Sequence, residues 1–131
     1  SGVETWLPVN PNCKDGINVK DQQHNPSSLF NYYKHILRVR KNSPALIEGE
    51  YLPLQSTAKD YFAFLRVSSG QTVLVVLNFS EQSLDLDFSR TQEIKGRSLH
   101  VVFSSAVRSS TDLIPKKLHI GAFEVFIAEV K

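Results

Sequence analysis

Two pairs of acidic residues are spaced so that both carboxylates of a pair could lie on one face of a β-strand. They are Glu48 with Glu50, and Asp85 with Asp87. Such a pair could supply the acid and the base of a hydrolytic reaction if the two pKa values differed. No flanking residue in the sequence would separate them, and any solvent-exposed strand face carries such pairs by alternation. We therefore interpret both pairs as surface residues.

The other side chains with reactive chemistry do not form a recognisable site. The histidines, which are His24, His35, His100 and His119, lack the close spacings of metal sites. A nucleophilic pair of Cys13 with His24 is conceivable, but no oxyanion feature or orienting third group accompanies it. Glycine-rich phosphate-binding loops are absent. We expect no catalytic residue, no metal site and no cofactor in this chain.

The charged and modifiable residues favour no polyanionic partner. The net charge is only +2, from 15 Lys and Arg against 13 Asp and Glu, so we expect no nucleic-acid partner. A basic group is interpreted as the solvated face and end of a helix; it comprises Lys34, His35, Arg38, Arg40 and Lys41.

Asn78-Phe79-Ser80 fits the N-glycosylation pattern, which matters only in a secreted protein. The sequence does not distinguish a cytoplasmic from a secreted location.

Size and composition predict one globular domain that needs neither a metal nor a disulfide. The chain has 131 residues, of which 41% are hydrophobic and 21% charged. Its longest aliphatic run, Val73 to Leu77, is far shorter than the roughly 20 residues of a membrane helix. The start at Ser1 has neither an initiator Met nor a signal-peptide pattern, so we expect a fragment of a longer protein.

The chain changes pattern twice along its length. Pro, Asn, Asp and Gly predict a loop from Trp6 to Asn25, and Asn25-Pro26 then predicts the start of one helix over Pro26–Asn42. Ser43-Pro44 should end this helix. After Pro44, β-rich runs predict an antiparallel sandwich, with Ser68 to Gln71 as a hairpin turn and Ser104 to Asp112 as a mobile loop. The predicted strands are Tyr51 to Leu54, Tyr61 to Val67, Thr72 to Phe79, Leu84 to Phe88, Leu99 to Phe103 and Ala122 to Val130.

Several motifs occur in a specific order: Thr5 to Asn12, Ile17 to Val19, Ser28 to Tyr33, Arg38 to Lys41, Leu46 to Tyr51 and Val75 to Ser80. The series resembles the end of the α-glucosidases of the α-amylase superfamily, which include oligo-1,6-glucosidases, maltases and sucrose isomerases. One departure is Ile120-Gly121-Ala122-Phe123, where the family often has a Pro-Tyr-Glu-Ala turn. This departure leaves the subfamily and its sugar open.

The resemblance implies that residues 1–44 are the last loop and helix of a (β/α)₈ barrel and that residues 45–131 are the C-terminal sandwich domain. The catalytic carboxylates of the family lie on earlier barrel strands, so this chain alone should be inactive. The implied partners are the missing barrel of a longer protein, called the parent below, and an α-glucosidic oligosaccharide bound by that parent. Without its barrel, the helix Pro26–Asn42 could mediate self-association.

Two other functions fit the same residues. The chain could end the glucosidase-like ectodomain of an amino-acid transporter heavy chain, which the resemblance also covers. It could also be a carbohydrate-binding sandwich, which would need exposed aromatic side chains on a flat face. For that function Trp6 is the only Trp and lies outside the predicted sandwich, whereas Tyr51 and Tyr61 lie within it.

Overall fold

The structure is a computed structural model that describes residues 6–54 and 59–131. The chain divides into two compact units, residues 1–38 and residues 39–131. Each unit is described by itself.

The first unit is more ordered than its loop-like sequence predicts. A 3₁₀ helix spans Pro11–Asp15, and a short helix α1 spans Val19–Gln22. The side chain of Asn18 caps α1 by accepting a hydrogen bond from the backbone N–H of Asp21 at 2.9 Å. Two short helices therefore lie in the segment that we predicted as a loop, because Asn10 and Asn18 side chains satisfy their first N–H groups.

The long helix α2 spans Leu29–Lys41, so it begins three residues later than predicted. The hydroxyl of Ser28 accepts from the backbone N–H of Asn31 at 3.2 Å and takes the capping role. Asn25 instead accepts from the N–H of Ser27 at 3.0 Å in a separate turn. The Asn-Pro pair thus precedes the helix rather than starting it.

A third helix, α3, spans Pro44–Glu48 and opens the second unit's sheet region. Ser43 caps it by accepting from the N–H of Leu46 at 3.3 Å, so the predicted end of α2 at Ser43-Pro44 is also the start of a new helix. Gly49 ends α3, and a Cβ there would lie 2.5 Å from the carbonyl oxygen of Ala45. Only glycine fits this tight passage into the first strand.

The second unit is an antiparallel β-structure, as predicted. Its larger sheet has the order β1-β2-β3-β8-β5-β6 and its smaller sheet pairs β4 with β7. The strands are β1 Glu50–Pro53, β2 Tyr61–Val67, β3 Thr72–Asn78, β4 Leu84–Leu86, β5 Leu99–Ser104, β6 Asp112–Leu113, β7 Leu118–Ile120 and β8 Val125–Val130. The predicted hairpin is confirmed, since Ser68 N–H donates to Gln71 O at 2.9 Å.

The core lies between the two sheets. Ala63 and Leu65 from β2, Leu74 and Val76 from β3, and Phe126 from β8 are completely buried. The smaller sheet contributes Leu118 and Ile120. The other members of the cluster are Phe88, Ile94, Leu99, Ala128 and Val130. The strand β3 lies between β2 and β8 in the interior of the larger sheet.

Two strands escaped the sequence prediction because they are very short. Asp112–Leu113 and Leu118–Ile120 flank a 3₁₀ helix at Pro115–Lys117, and neither is long enough to show alternation. Conversely, the last strand begins at Val125 rather than Ala122, because residues 121–124 form a turn in which Phe123 has a φ of +52°.

Candidate functional site

The structure places the two carboxylate pairs in different settings. Glu48 is the last residue of α3 and Glu50 the first of β1, so the expectation that they share one strand face is wrong. Asp85 and Asp87 flank Leu86 on exposed positions of β4 and its end, as predicted. Hydrogen bonds from the Ser89 hydroxyl and N–H lower the pKa of Asp87, which keeps it ionised. An ionised, exposed carboxylate cannot act as the acid of the pair.

The histidines are dispersed. His119 Nδ1 lies 2.9 Å from Asp85 Oδ1, and His100 Nδ1 lies 2.9 Å from Asp112 Oδ1, both on exposed surface. Among residues 6–54 and 59–131, no group of three or more His, Cys, Asp or Glu could hold a metal ion. The His24 ring lies 3.1 Å from the Gln23 amide, and no hydrogen bond in the described chain joins it to Cys13. These pairs are surface contacts.

Asn78, the predicted glycosylation position, is buried and only 3% exposed. Its amide nitrogen donates to the carbonyl oxygens of Gln82 at 2.7 Å and Gly121 at 2.8 Å. Its amide oxygen accepts from the N–H and the hydroxyl of Ser80, each at 2.9 Å. Every polar group of this side chain is therefore engaged inside the fold, where a sugar attached to the nitrogen would not fit.

The Glu124 carboxylate is a buried charged group of the second unit that the sequence analysis did not single out. Its Oε1 accepts from Arg108 Nε at 3.0 Å and from Ser104 Oγ at 2.7 Å, and its Oε2 accepts from the N–H of Gly121 at 2.7 Å. The Arg108 guanidinium also lies 4.6 Å from the centre of the Phe126 ring. This ion pair joins the loop predicted as mobile, Ser104 to Asp112, to the turn that precedes β8.

One signal could have identified Glu124. The Pro-Tyr-Glu-Ala turn can be matched two residues later than we placed it, at Ala122-Phe123-Glu124-Val125, which retains the glutamate. The buried carboxylate then occupies the third position of that turn. Its contacts hold a turn and a loop together, which is a structural role.

Among the residues that the structure describes, large apolar side chains are exposed on α2 and on the larger sheet. On α2, Leu29, Tyr33 and Leu37 are each more than 60% exposed and line a groove of about 520 Å³ with Phe30. On the larger sheet, Tyr51 and Phe62 are 44% and 39% exposed. Trp6 is 92% exposed in the part of the chain that the structure describes. Exposed apolar surfaces of this kind are typical of interaction sites.

Some basic residues of α2 line a surface cleft, and another contacts a backbone carbonyl oxygen. Lys34, His35 and Arg38 line a cleft of about 440 Å³ together with His24. Arg40 turns back and donates from Nη1 to the carbonyl oxygen of Leu46 at 2.6 Å, near the end of α3. This contact of Arg40 is with α3, whereas the charge had been predicted to complement the end of its own helix, α2. No helix among the described residues is long and apolar enough to cross a membrane.

Comparison with known proteins places both parts of the chain. The family profile of the maltogenic amylase C-terminal domain matches residues 53–127, and that of the α-amylase catalytic domain matches residues 1–49. An oligo-1,6-glucosidase of Halalkalibacterium halodurans is 39% identical over 82 residues, which are 63% of this chain and 14% of that protein. The chain thus spans a small part of this relative's length.

Solved structures agree with the sequence matches. An isomaltulose synthase from Erwinia rhapontici NX5 has a TM-score of 0.77 at 29% identity, covering 96% of this chain and 22% of the other. The trehalulose synthase MutB from Pseudomonas mesoacidophila MX-45 has a TM-score of 0.79 at 26% identity, with the same coverage. The chain is therefore a C-terminal segment of a protein of the α-amylase superfamily, and it belongs to the family of the maltogenic amylase C-terminal domain.

Proposed function

We propose that this chain is the non-catalytic C-terminal part of an α-glucosidase-like glycoside hydrolase. Its parent would hydrolyse or rearrange α-glucosidic bonds in oligosaccharides by a retaining mechanism. The observation that carries the proposal is the order of the two family matches, in which the catalytic-domain profile ends at residue 49 and the C-terminal-domain profile begins at residue 53. The names of the relatives, glucosidases and sugar synthases, support the same reaction class.

The proposed domain boundary lies near Pro44, with residues 1–44 contributing the last loop and helix of the parent's barrel and residues 45–131 forming the sandwich domain. The helix break at Ser43-Pro44 supports it, and β1 begins at Glu50. The catalytic-domain match extends five residues further, to residue 49, and the compact units divide after Arg38. These four markers all fall between Arg38 and Glu50.

The catalytic Asp and Glu residues are proposed to lie upstream, in the parent's barrel. The acidic pairs described above are exposed and unsuited to acid–base chemistry, so this chain offers no replacement for them. Its contribution would be to stabilise the barrel. The stripe of Leu29, Tyr33 and Leu37 supports this role, because three large apolar side chains at helical spacing would be buried in a complete barrel.

A direct test compares the purified 131-residue chain with the parent protein on an aryl α-glucoside. We expect turnover by the parent and none by the chain. Turnover by the chain that co-elutes with it through successive chromatographic steps would contradict the proposal. The glucosidase and synthase relatives favour the hydrolase over a transporter ectodomain; an inactive parent with an N-terminal membrane helix would reverse that preference.

A further inference from the structure

We propose that a pocket beside the buried Arg108–Glu124 pair binds a small organic carboxylate. The pocket, called the loop pocket below, has a volume of about 470 Å³ and lies within the second unit, between the loop after β5 and the segment from Leu113 to His119. Pockets for small molecules commonly have volumes of about 300 to 1,000 Å³. This proposal needs no catalytic domain, so it is independent of the proposed function.

Arg108 lines the loop pocket in an orientation that the fold has already fixed. Its Nε donates to Glu124 Oε1 at 3.0 Å, and its Nη2 donates to the carbonyl oxygen of His119 at 2.8 Å. The guanidinium lies 4.6 Å from the centre of the Phe126 ring, and the side chain is 15% exposed. Within residues 6–54 and 59–131, its Nη1 has no hydrogen-bond partner. A donor that is already held in place costs little ordering entropy when it binds a ligand, so Nη1 is suited to an incoming acceptor.

The charges of the lining favour one negative charge on the ligand. Lys117 also lines the loop pocket and has no ion-pair partner in the part of the chain that the structure describes. The positive charges of Arg108 and Lys117 therefore exceed the single negative charge of Glu124 by one. His119, which is also in the lining, is paired with Asp85 at 2.9 Å. A carboxylate matches one excess positive charge and can accept hydrogen bonds from a guanidinium.

The remaining walls suit the carbon skeleton of such a ligand. Leu113 and Leu118 line the loop pocket together with Val107. Apolar walls with a few convergent polar groups are the usual composition of a small-molecule site. The described lining contains no Phe, Tyr or Trp side chain, so it offers no flat ring surface for a sugar. These features favour an organic carboxylate over a sugar or an inorganic anion.

The test is an NMR titration of the isotope-labelled 131-residue chain with benzoate, and with benzamide as a neutral probe of nearly the same shape. We expect benzoate to shift the backbone amide signals of residues 106–110 in a saturable manner. Benzamide should bind at least about ten-fold more weakly, because it lacks the charge that Arg108 and Lys117 attract. Equal affinities for the two probes would overturn the proposal.

Two neighbouring lysines provide a matched pair of variants. Lys117→Gln should weaken benzoate binding by about three-fold, as expected for the loss of one exposed charge. Lys116→Gln removes the same charge from an adjacent exposed residue outside the lining and should leave the affinity unchanged. Equal weakening in both variants would reveal a general attraction to the charge of the chain and would rule out recognition in the loop pocket.

Ser109→Glu adds a negative charge to the lining and should weaken benzoate binding by at least about ten-fold. Ser83→Glu gives the same net charge at an exposed position outside the lining and serves as its control. Unchanged affinity in Ser109→Glu would contradict the proposed site. Saturable shifts of the same amide signals by maltose, or tighter binding of inorganic phosphate than of benzoate, would reject the carboxylate in favour of a sugar or a phosphate.

Discussion

The buried carboxylate of Glu124 and the guanidinium of Arg108 form an ion pair that closes one end of the sandwich. Glu124 is 2% exposed, and the pair joins the loop after β5 to the turn before β8. Arg108 Nη2 also donates to the carbonyl oxygen of His119 at 2.8 Å, which connects the smaller sheet. Three segments that are distant in sequence are thus held by two side chains.

Arg108→Ala should lower the free energy of unfolding by about 3 kcal/mol, because it leaves a buried carboxylate without its counter-charge. Urea denaturation followed by circular dichroism measures this change. Asp85→Ala is the control: its partner His119 is exposed, so the loss should stay below about 0.5 kcal/mol. Similar losses in the two variants would show that the buried Glu124–Arg108 pair stabilises the fold no more than an exposed pair does.

Gly49→Ala should destabilise the chain by about 2 kcal/mol, since the added methyl would overlap backbone atoms that cannot move aside. The new Cβ would lie 2.5 Å from Ala45 O and 2.9 Å from Val67 O. Gly70→Ala provides the comparison, because nothing lies within 4 Å of a Cβ at that hairpin position. We expect the midpoint of thermal unfolding of Gly70→Ala to stay close to that of the unmodified chain. An unchanged midpoint in Gly49→Ala would refute the prediction.

Expression through a secretory pathway should give folded chain without a sugar on Asn78, because its amide nitrogen is buried and donates two hydrogen bonds. Intact-mass spectrometry of the folded fraction checks this. Val107→Asn creates an acceptor tripeptide with Arg108 and Ser109 at a fully exposed position, and this variant should gain a glycan. A glycan on folded, unmodified chain would contradict the burial of Asn78.

The stability of the chain should fall in acid partly through Glu129. The Lys131 ammonium, which lies 2.7 Å away, lowers the pKa of Glu129, so its stabilisation is fully present above the ordinary glutamate pKa of about 4.3. It is lost as the pH falls through the lower pKa of the folded state. Glu129→Gln should remove this component, which is below about 1 kcal/mol because Lys131 is 55% exposed.

Urea titrations between about pH 3 and about pH 7 measure the stability difference between the unmodified chain and Glu129→Gln, since this interval brackets the ordinary glutamate pKa. The two stability curves should converge at the acid end and separate toward neutral pH. Curves that run parallel over the whole interval would exclude a contribution from Glu129.

The isolated chain should self-associate through α2, because Leu29, Tyr33 and Leu37 present an uncovered apolar stripe. Sedimentation velocity over a range of concentrations measures the association. Leu29→Ser with Leu37→Ser should abolish it, whereas Ile114→Ser, at an isolated exposed position, should leave it unchanged. Association that persists in the double variant would rule out this surface.

The alternation of apolar residues was enough to predict the strands that form the centre of the sheet. Tyr61–Val67 was predicted with its observed bounds, and Thr72–Asn78 was predicted with an error of one residue. Such strands are long and apolar, so local pattern and tertiary burial agree. The motif series was likewise sufficient for the superfamily, since motifs are local properties of the chain.

Short elements and long-range polar contacts depended on the tertiary structure. The strand Leu118–Ile120 has too few residues for a pattern, and it exists because Leu84–Leu86 pairs with it across the sandwich. The helix Pro44–Glu48 is stabilised by Gln71, which is distant in sequence. Such partners are specified by the fold and cannot be read from a local window.

The sequence by itself determined that the part of this chain after Pro44 is an antiparallel β-structure, because the periodicity of its apolar residues is sufficient for that conclusion. Only the tertiary structure decided what its polar and aromatic residues do. It buried Asn78 and Glu124 and aligned Tyr51 with Phe62 and Phe64 on one face. Burial and alignment depend on which strands become neighbours, and that follows from the packing of the whole chain.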